Sequence, residues 1–233
     1  AHCRRKPGLA EKARVDHVAW KLRVPGLPDP ARDAVVSSIL AEAPHVAGFS
    51  LQPWSTGLFL DAIRALKKER PDVKVVVGGS NAMLLGAELL REVPQIDVLV
   101  TGEGEIPFAD LLEALAGEKA PALKNIGGLF YRRRGKIVAT GAARLPRGGL
   151  DYCGSPVREG LVTLRPEEGH LAFEWTRGCP NRCSYCSWHR NSRIFRRFSR
   201  DRIIDDIRWA REKGFGEILI CDAAVNYRDD LLQ

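Results

Sequence analysis

In the first half of the chain, short apolar runs alternate with stretches whose apolar residues recur every three or four positions. The run HVAGFSL at 45–51 is expected to form a buried strand after a helix near 33–42. Over 56–70, Leu58, Leu60, Ile63 and Leu66 fit one face of an amphipathic helix. VKVVV at 73–77 is a β-branched run of the kind that a parallel sheet buries on both faces, and Gly78 and Gly79 end it. A helix over 82–92, a strand over 96–100 and the turn TGEGE at 101–105 follow. Pro107 then sits near the start of a helix running to about Gly117, where its missing N–H is tolerated. This rhythm predicts an α/β fold with a doubly wound, flavodoxin- or Rossmann-like parallel sheet.

Residues 127–140 break the pattern. Two β-rich runs flank Arg134 and Gly135, which predicts a hairpin. Residues 144–169 are rich in Gly and Pro and weakly periodic, and read as an interdomain connection. A second unit opens with the strand LAFEW at 171–175, followed by a loop bearing three cysteines. Ser199 can cap a helix in which Ile203, Ile204, Ile207 and Ala210 share a face, and Gly214 stops it. EILIC at 217–221 is the next strand. The expected organisation is a Rossmann-like domain over 1–143, a linker over 144–169 and the opening of a second domain over 170–233.

Composition narrows the class. With 45% hydrophobic and 28% charged residues, the 233-residue chain is neither wholly disordered nor fibrous. It has no apolar run long enough for a transmembrane helix and no signal-peptide core at its start, so a cytoplasmic protein without a membrane partner is expected. Residue 1 is Ala and the only methionine is Met83, which reads as a piece of a longer protein. Net charge is +7, and eight arginines against one acid, Asp201, fall between Arg177 and Arg202. Such a patch can meet an anion, but a solvated helix flank is the preferred reading.

Of six cysteines, three fall in CPNRCSYC at 179–186, a C-x3-C-x2-C spacing. Clustered thiols without a secretory signal point to a metal or metal–sulfur site rather than a disulfide framework. Three thiolates on one compact loop can hold three corners of an iron–sulfur cube and leave the fourth iron open to a reacting ligand. The alternative on spacing is zinc, with Cys179, Cys183, Cys186 and His189 as a Cys3His set. A zinc module is, however, rarely inserted between the strand and helix of an α/β unit.

The stretch TRGCPNRCSYCSW at 176–188, with Tyr185 before the third cysteine, resembles the cluster loop of the radical SAM superfamily. Gly48-Phe49-Ser50, VVVGG at 75–79 and VTGEGE at 100–105 resemble, in order, the N-terminal cobalamin-binding-type domain of one subgroup. The resemblance implies that 170–233 is the N-terminal part of a partial (β/α) barrel. It implies that Cys179, Cys183 and Cys186 ligate a [4Fe-4S] cluster. It further implies that S-adenosylmethionine binds the open iron and is cleaved to a 5′-deoxyadenosyl radical. Tyr185 would pack near the adenine, and Asp222 or Asn226 would contact the methionine moiety. Ser50, Gly78, Gly79, Gly102 and Glu103 would line the cobalamin face. The subgroup's Asp-x-His-x-x-Gly motif is absent, so cobalamin would bind without a protein histidine below cobalt, or the fold has been kept without the cofactor.

The reading is a cobalamin-type radical SAM enzyme, with methyl transfer to an unactivated carbon as first choice. A small-molecule or peptide substrate and a reductant such as flavodoxin or ferredoxin are the expected partners, and nucleic acid is not. Two alternatives are carried: a zinc-stabilised nucleic-acid-binding module using the arginine run, and a catalytically inactive fragment. From Arg177 onward only 57 residues remain (233 − 177 + 1), against the roughly 250 of a full barrel. The chain alone is therefore expected to lack turnover and to expose Ile203, Ile204 and Ile207.

Overall fold

The structure, a computed structural model, describes residues 2–6, 8–9, 11–16, 32–117, 122–146, 148–162, 164–168, 171–181, 183–186 and 194–224. The chain divides into two compact units. Lys6–Leu145 forms one, and Pro146–Gln233 with Ala1–Arg5 forms the other. The first turn of the chain, α1 (His2–Arg5), belongs with the latter.

The unit Lys6–Leu145 is built on one sheet. Strands β1 (Val46–Ser50), β2 (Lys74–Gly78) and β3 (Val98–Val100) run parallel. Helices α2 (Arg32–Ala41) and α3 (Thr56–Glu69) precede β2. The β-branched run behaves as its pattern requires. Val75 and Val77 join Ala62, Ile63, Leu66 and Leu90 in one core, while Val76 joins Val98, Val100 and Leu111 in another. Both faces of β2 are thus buried, the condition that favours such uninterrupted apolar strands. The second core is closed by α6 (Glu105–Ala116), which carries Leu111 and Ala114 and takes Pro107 in its first turn.

Two features of this unit depart from the expected pattern. The helix expected over 82–92 is two helices, α4 (Ser80–Leu85) and α5 (Ala87–Glu92). Gly86, at φ +56°, ends the first by donating its N–H to the Ala82 carbonyl at 2.9 Å. A residue in that conformation cannot continue a right-handed helix. The expected hairpin forms, as β4 (Leu129–Arg133) and β5 (Lys136–Ala139). Arg133 faces Lys136 across the turn, and Arg134 and Gly135 both have positive φ, at 49° and 74°. This is the two-residue turn whose twist matches a hairpin. The hairpin extends the main sheet, β4 pairing antiparallel with β3, so the strand order is β1-β2-β3-β4-β5.

In the other unit, β6 (Leu171–Phe173) pairs in parallel with β9 (Ile218–Ile220). Between them lie a two-residue antiparallel ladder, β7 (Thr176–Arg177) with β8 (Arg196–Arg197), and the helix α7 (Arg200–Glu212). Both ends of α7 are as the sequence predicts. Ser199 Oγ accepts the Arg202 N–H at 3.3 Å. At the other end Gly214, at φ +85°, donates to Arg211 O, and Phe215 donates to Ala210 O, both at 3.0 Å. This pair of bonds defines a Schellman stop, and Phe215 and Ala210 share one apolar cluster.

The stretch read as a connection, 144–169, contributes to this unit's core. Leu150 and Cys153 are buried with Phe198 and Ile203. Leu150 N donates to Arg197 O, and Ser199 N donates to Asp151 Oδ1. Ile203 is therefore only 8% exposed, contrary to expectation, because this irregular segment covers it. Ile207, at 39%, does face solvent.

Candidate functional site: a cysteine loop and a strand-end face

The cysteine loop leaves the carboxyl end of β6 and is closed at its root by the β7–β8 ladder, in which Thr176 pairs with Arg197 and Arg177 with Arg196. Gly178, at φ +89°, lets the strands approach; a Cβ there would lie 2.5 Å from the Ile194 carbonyl oxygen. Only glycine fits so close a backbone crossing at that dihedral. Trp175 O accepts the Phe198 N–H at 2.9 Å, fixing the same root from the helix side.

The tip is different in kind. All six cysteines are thiols, with Cys183 exposed and Cys179 and Cys186 partly so. Cys186 N donates to Cys183 O at 3.1 Å, so the last two cysteines share one turn. Tyr185 is 90% exposed. Its phenol is held above the usual tyrosine range, chiefly by its hydrogen bond to Cys183 and then by the charge of that thiol. Among the described residues, no three His, Cys, Asp or Glu side chains converge to hold a metal ion. The structure places the three thiols on one pinned loop and does not draw them together. His189 and Asn226 lie outside the described residues.

Asp222 follows β9. Its Oδ1 accepts the backbone N–H of Trp175 at 2.8 Å and of Thr176 at 3.1 Å. Cys221 N donates to Phe173 O at 2.7 Å, so the β6–β9 ladder runs up to the same point. Cys221 itself is exposed.

In the unit Lys6–Leu145, Ser50, Gly78, Gly79, Gly102 and Glu103 all lie at or just beyond the carboxyl ends of the three parallel strands. The Ser50 hydroxyl is at the surface and accepts Gln52 Nε2 at 3.3 Å. Gln52 Oε1 accepts the Ser80 hydroxyl at 2.5 Å, and Asn81 Nδ2 donates to Thr56 Oγ1 at 2.7 Å. Gln52, Ser80, Asn81 and Thr56 are absent from the residues that the sequence pattern singles out. Their signal in the sequence is position: Gln52, Ser80 and Asn81 are polar residues within three positions of the ends of β1 and β2, and Thr56 opens α3. Gly102 and Gly104 leave their backbone open, with no heavy atom within 4 Å of a built Cβ. Bare backbone and short polar side chains at strand ends suit close approach of a large ligand rimmed with amides.

Gly79 is the tightest point of that face. At φ 93° and ψ 172° it occupies a region open essentially to glycine alone. A Cβ would lie 2.6 Å from Leu51 O and 2.9 Å from Leu51 N. Gly79→Ala is expected to lower the unfolding free energy of this unit by about 3 kcal/mol, the backbone strain alone accounting for about 1–3 kcal/mol. Gly102→Ala meets nothing and is expected to cost about 1–2 kcal/mol. Urea titration of both variants checks the ordering; equal losses would mean that the contacts at Gly79 relax.

The fold of the unit Lys6–Leu145 is that of a B12-binding domain: the family model described as B12 binding domain matches residues 11–112. Over a longer span the chain is similar to radical SAM proteins. It is 31% identical over 189 residues to the cobalamin-dependent radical SAM methyltransferase TokK of Streptomyces tokunonensis, covering 77% of this chain and 27% of the relative. It is 29% identical over 188 residues to the 2-(S-pantetheinyl)-carbapenam-3-carboxylate methyltransferase of Streptantibioticus cattleyicolor, with shares of 77% and 27%. It is 27% identical over 196 residues to the anaerobic magnesium-protoporphyrin IX monomethyl ester cyclase of Rubrivivax gelatinosus, with shares of 77% and 33%. These similarities are consistent with the radical SAM subgroup that carries an N-terminal B12-binding-type domain. It spans about a quarter to a third of these relatives' length. No helix among the described residues is long and apolar enough to cross a membrane.

Proposed function

We propose that the chain carries the cofactor-binding portion of a cobalamin-type radical SAM enzyme that methylates an unactivated carbon. One observation carries the reading. Three thiols sit on a single exposed loop, rooted between a strand and a helix, in a chain whose other unit matches a B12-binding domain.

The donor set fits the group, since three thiols and no fourth protein sulfur on the loop leave one corner for a substrate-like ligand. Cys179, Cys183 and Cys186 would hold a [4Fe-4S] cluster, with Tyr185 beside them. When bound, that group supplies the electron that cleaves S-adenosylmethionine to a 5′-deoxyadenosyl radical. The β7–β8 ladder and Gly178 hold the loop's ends while its tip adjusts to the cluster. On the other unit, Ser50, Gly78, Gly79, Gly102 and Glu103 would present hydroxyl and bare backbone to cobalamin. The substrate is a small molecule or peptide, and the electron comes from a flavodoxin or ferredoxin. The proposed domain plan is a Rossmann-like domain over 1–143, a connection over 144–169 whose residues Leu150 and Cys153 pack with the second unit, and the opening of a barrel over 170–233.

Three arginines of the run favour this over nucleic-acid binding. Arg177 pairs with Glu174 at 2.8 Å, Arg202 pairs with Asp206 at 3.1 Å, and Arg196 is buried. Cations engaged inside the unit are poorly placed to meet phosphates.

Anaerobic reconstitution with iron and sulfide, followed by metal analysis, tests the reading. About four irons per chain with a broad visible absorption are expected. A titration with hydroxocobalamin, followed by its visible spectrum, is expected to show saturable binding. One tightly held zinc and no iron chromophore would overturn the cluster assignment.

A further inference from the structure

We infer that Asp222 is a positioning residue for the cysteine loop, acting through the backbone at the loop's root rather than by touching a ligand. The inference rests on the cluster reading above. Strands β6 and β9 are hydrogen-bonded up to Phe173 and Cys221, where the chain of β6 turns away toward the loop. Beyond that point the N–H groups of Trp175 and Thr176 need acceptors, because buried amides left unpaired are costly. One oxygen, Asp222 Oδ1, takes both of them, at 2.8 and 3.1 Å, from 47 and 46 residues away.

The position of those two amides matters. Thr176 is the first residue of the β7–β8 ladder, and Trp175 O accepts the Phe198 N–H at that same end, beside the Thr176–Arg197 pair. Asp222 therefore ties the carboxyl end of β9 to the hinge from which the thiols are hung. Two residues on from that hinge the loop passes through Gly178, with no room for a Cβ, so a shift at the root passes directly toward Cys179. Asp222 Oδ2 is buried without a hydrogen-bond partner among the described residues. The hydrogen bonds at this position ask for an acceptor oxygen where Oδ1 stands.

This separates three variants. Asp222→Asn keeps an oxygen where Oδ1 stands and loses the charge. Asp222→Glu keeps the charge and moves the oxygen by one methylene. Asp222→Ala removes both. The full chain of each is reconstituted with iron and sulfide. Iron is then counted, its loss to a chelator is timed, and the reduced sample is examined by electron paramagnetic resonance. Wild type and Asp222→Asn are expected to load the same iron, lose it at the same rate and give the same spectrum. Asp222→Glu and Asp222→Ala are expected to lose iron roughly 10-fold faster, the usual scale for removing a group that orients metal ligands, and to give an altered spectrum. Exchange of the Trp175 and Thr176 amides with deuterium should accelerate in the same two variants. Circular dichroism identifies any variant that fails to fold, and the Asn–Glu comparison stands without the alanine. Iron retention by Asp222→Glu and Asp222→Ala equal to wild type overturns the inference, as does an Asn variant that behaves like Glu. With iron intact and only S-adenosylmethionine binding lost, Asp222 is a ligand contact instead. Absence of iron uptake by wild type overturns the cluster reading and the inference with it.

Discussion

Replacing Cys183 by alanine is expected to take reconstituted iron from about four per chain to near zero while leaving the thermal unfolding of the chain unchanged. The two halves of this expectation come from separate facts. Cys183 is exposed and belongs to none of the apolar clusters among the described residues, so its sulfur is not part of a core there. Exposed substitutions away from special backbone usually stay within about 0.5 kcal/mol. Its loss nevertheless removes the middle ligand of three, and two thiolates cannot retain a cube that already lacks a fourth protein ligand. Cys186 cannot compensate, because in this reading its thiolate is already a ligand. The control is Cys221→Ala. That thiol is also exposed but sits at the end of β9, outside the loop. It is expected to keep full iron. Iron retained in Cys183→Ala and lost in Cys221→Ala would show that the spacing had been misassigned. A zinc content unaffected by added iron would point to the Cys3His alternative.

How far the sequence carried differs by the range of the interaction. Strand β2, the Arg134-Gly135 turn, the Ser199 cap and the Gly214 stop were legible because each is decided within a few residues. The break at Gly86 was not, since the apolar periodicity runs across it and one glycine in a helical pattern is often tolerated. The pairing of the hairpin with β3 was not legible either, because nothing local selects a neighbour strand. Residues 148–162 read as a connection since they lack a period, yet Leu150 and Cys153 fill a core that α7 leaves open. The candidate site divides the same way. Cysteine spacing and the strand-end glycines are sequence-local. The acceptor role of Asp222 depends on amides 46 and 47 residues away and emerges only from the fold. Within the arginine run, Arg177, Arg196 and Arg202 are drawn into the unit by Glu174, burial and Asp206, while Arg200 is exposed, a division that density along the chain does not reveal.

Asp206 carries the largest expected stability effect outside the glycines. It lies on the inner face of α7, 3% exposed, and its Oδ1 meets Arg158 at 2.8 Å and Arg202 at 3.1 Å. Arg202 is further held over the Phe198 ring at 5.1 Å and donates to Cys153 O at 3.4 Å. One carboxylate thus joins α7 to the segment 153–158 and sets the cation that packs on Phe198. Asp206→Ala leaves two guanidinium groups facing each other without their anion. Breaking such a buried pair typically costs about 3–5 kcal/mol. The side chains of Arg158 and Arg202 are 32% and 16% exposed and can partly rehydrate, which places the expected loss near the lower end, about 3 kcal/mol. Asp206→Asn keeps an acceptor and loses the charge, with an expected loss of about 1–2 kcal/mol. Asp205 supplies the contrast within the same helix. Its pair with Arg208 spans 3.8 Å between side chains 55% and 72% exposed, and Asp205→Ala is expected to change stability by less than about 1 kcal/mol. Denaturant unfolding of the three variants decides the matter. An Asp206→Ala loss no larger than that of Asp205→Ala would mean that α7 is held by its apolar face alone. The cysteine loop's root would then owe its position to Phe198 and Leu150 rather than to this buried charge.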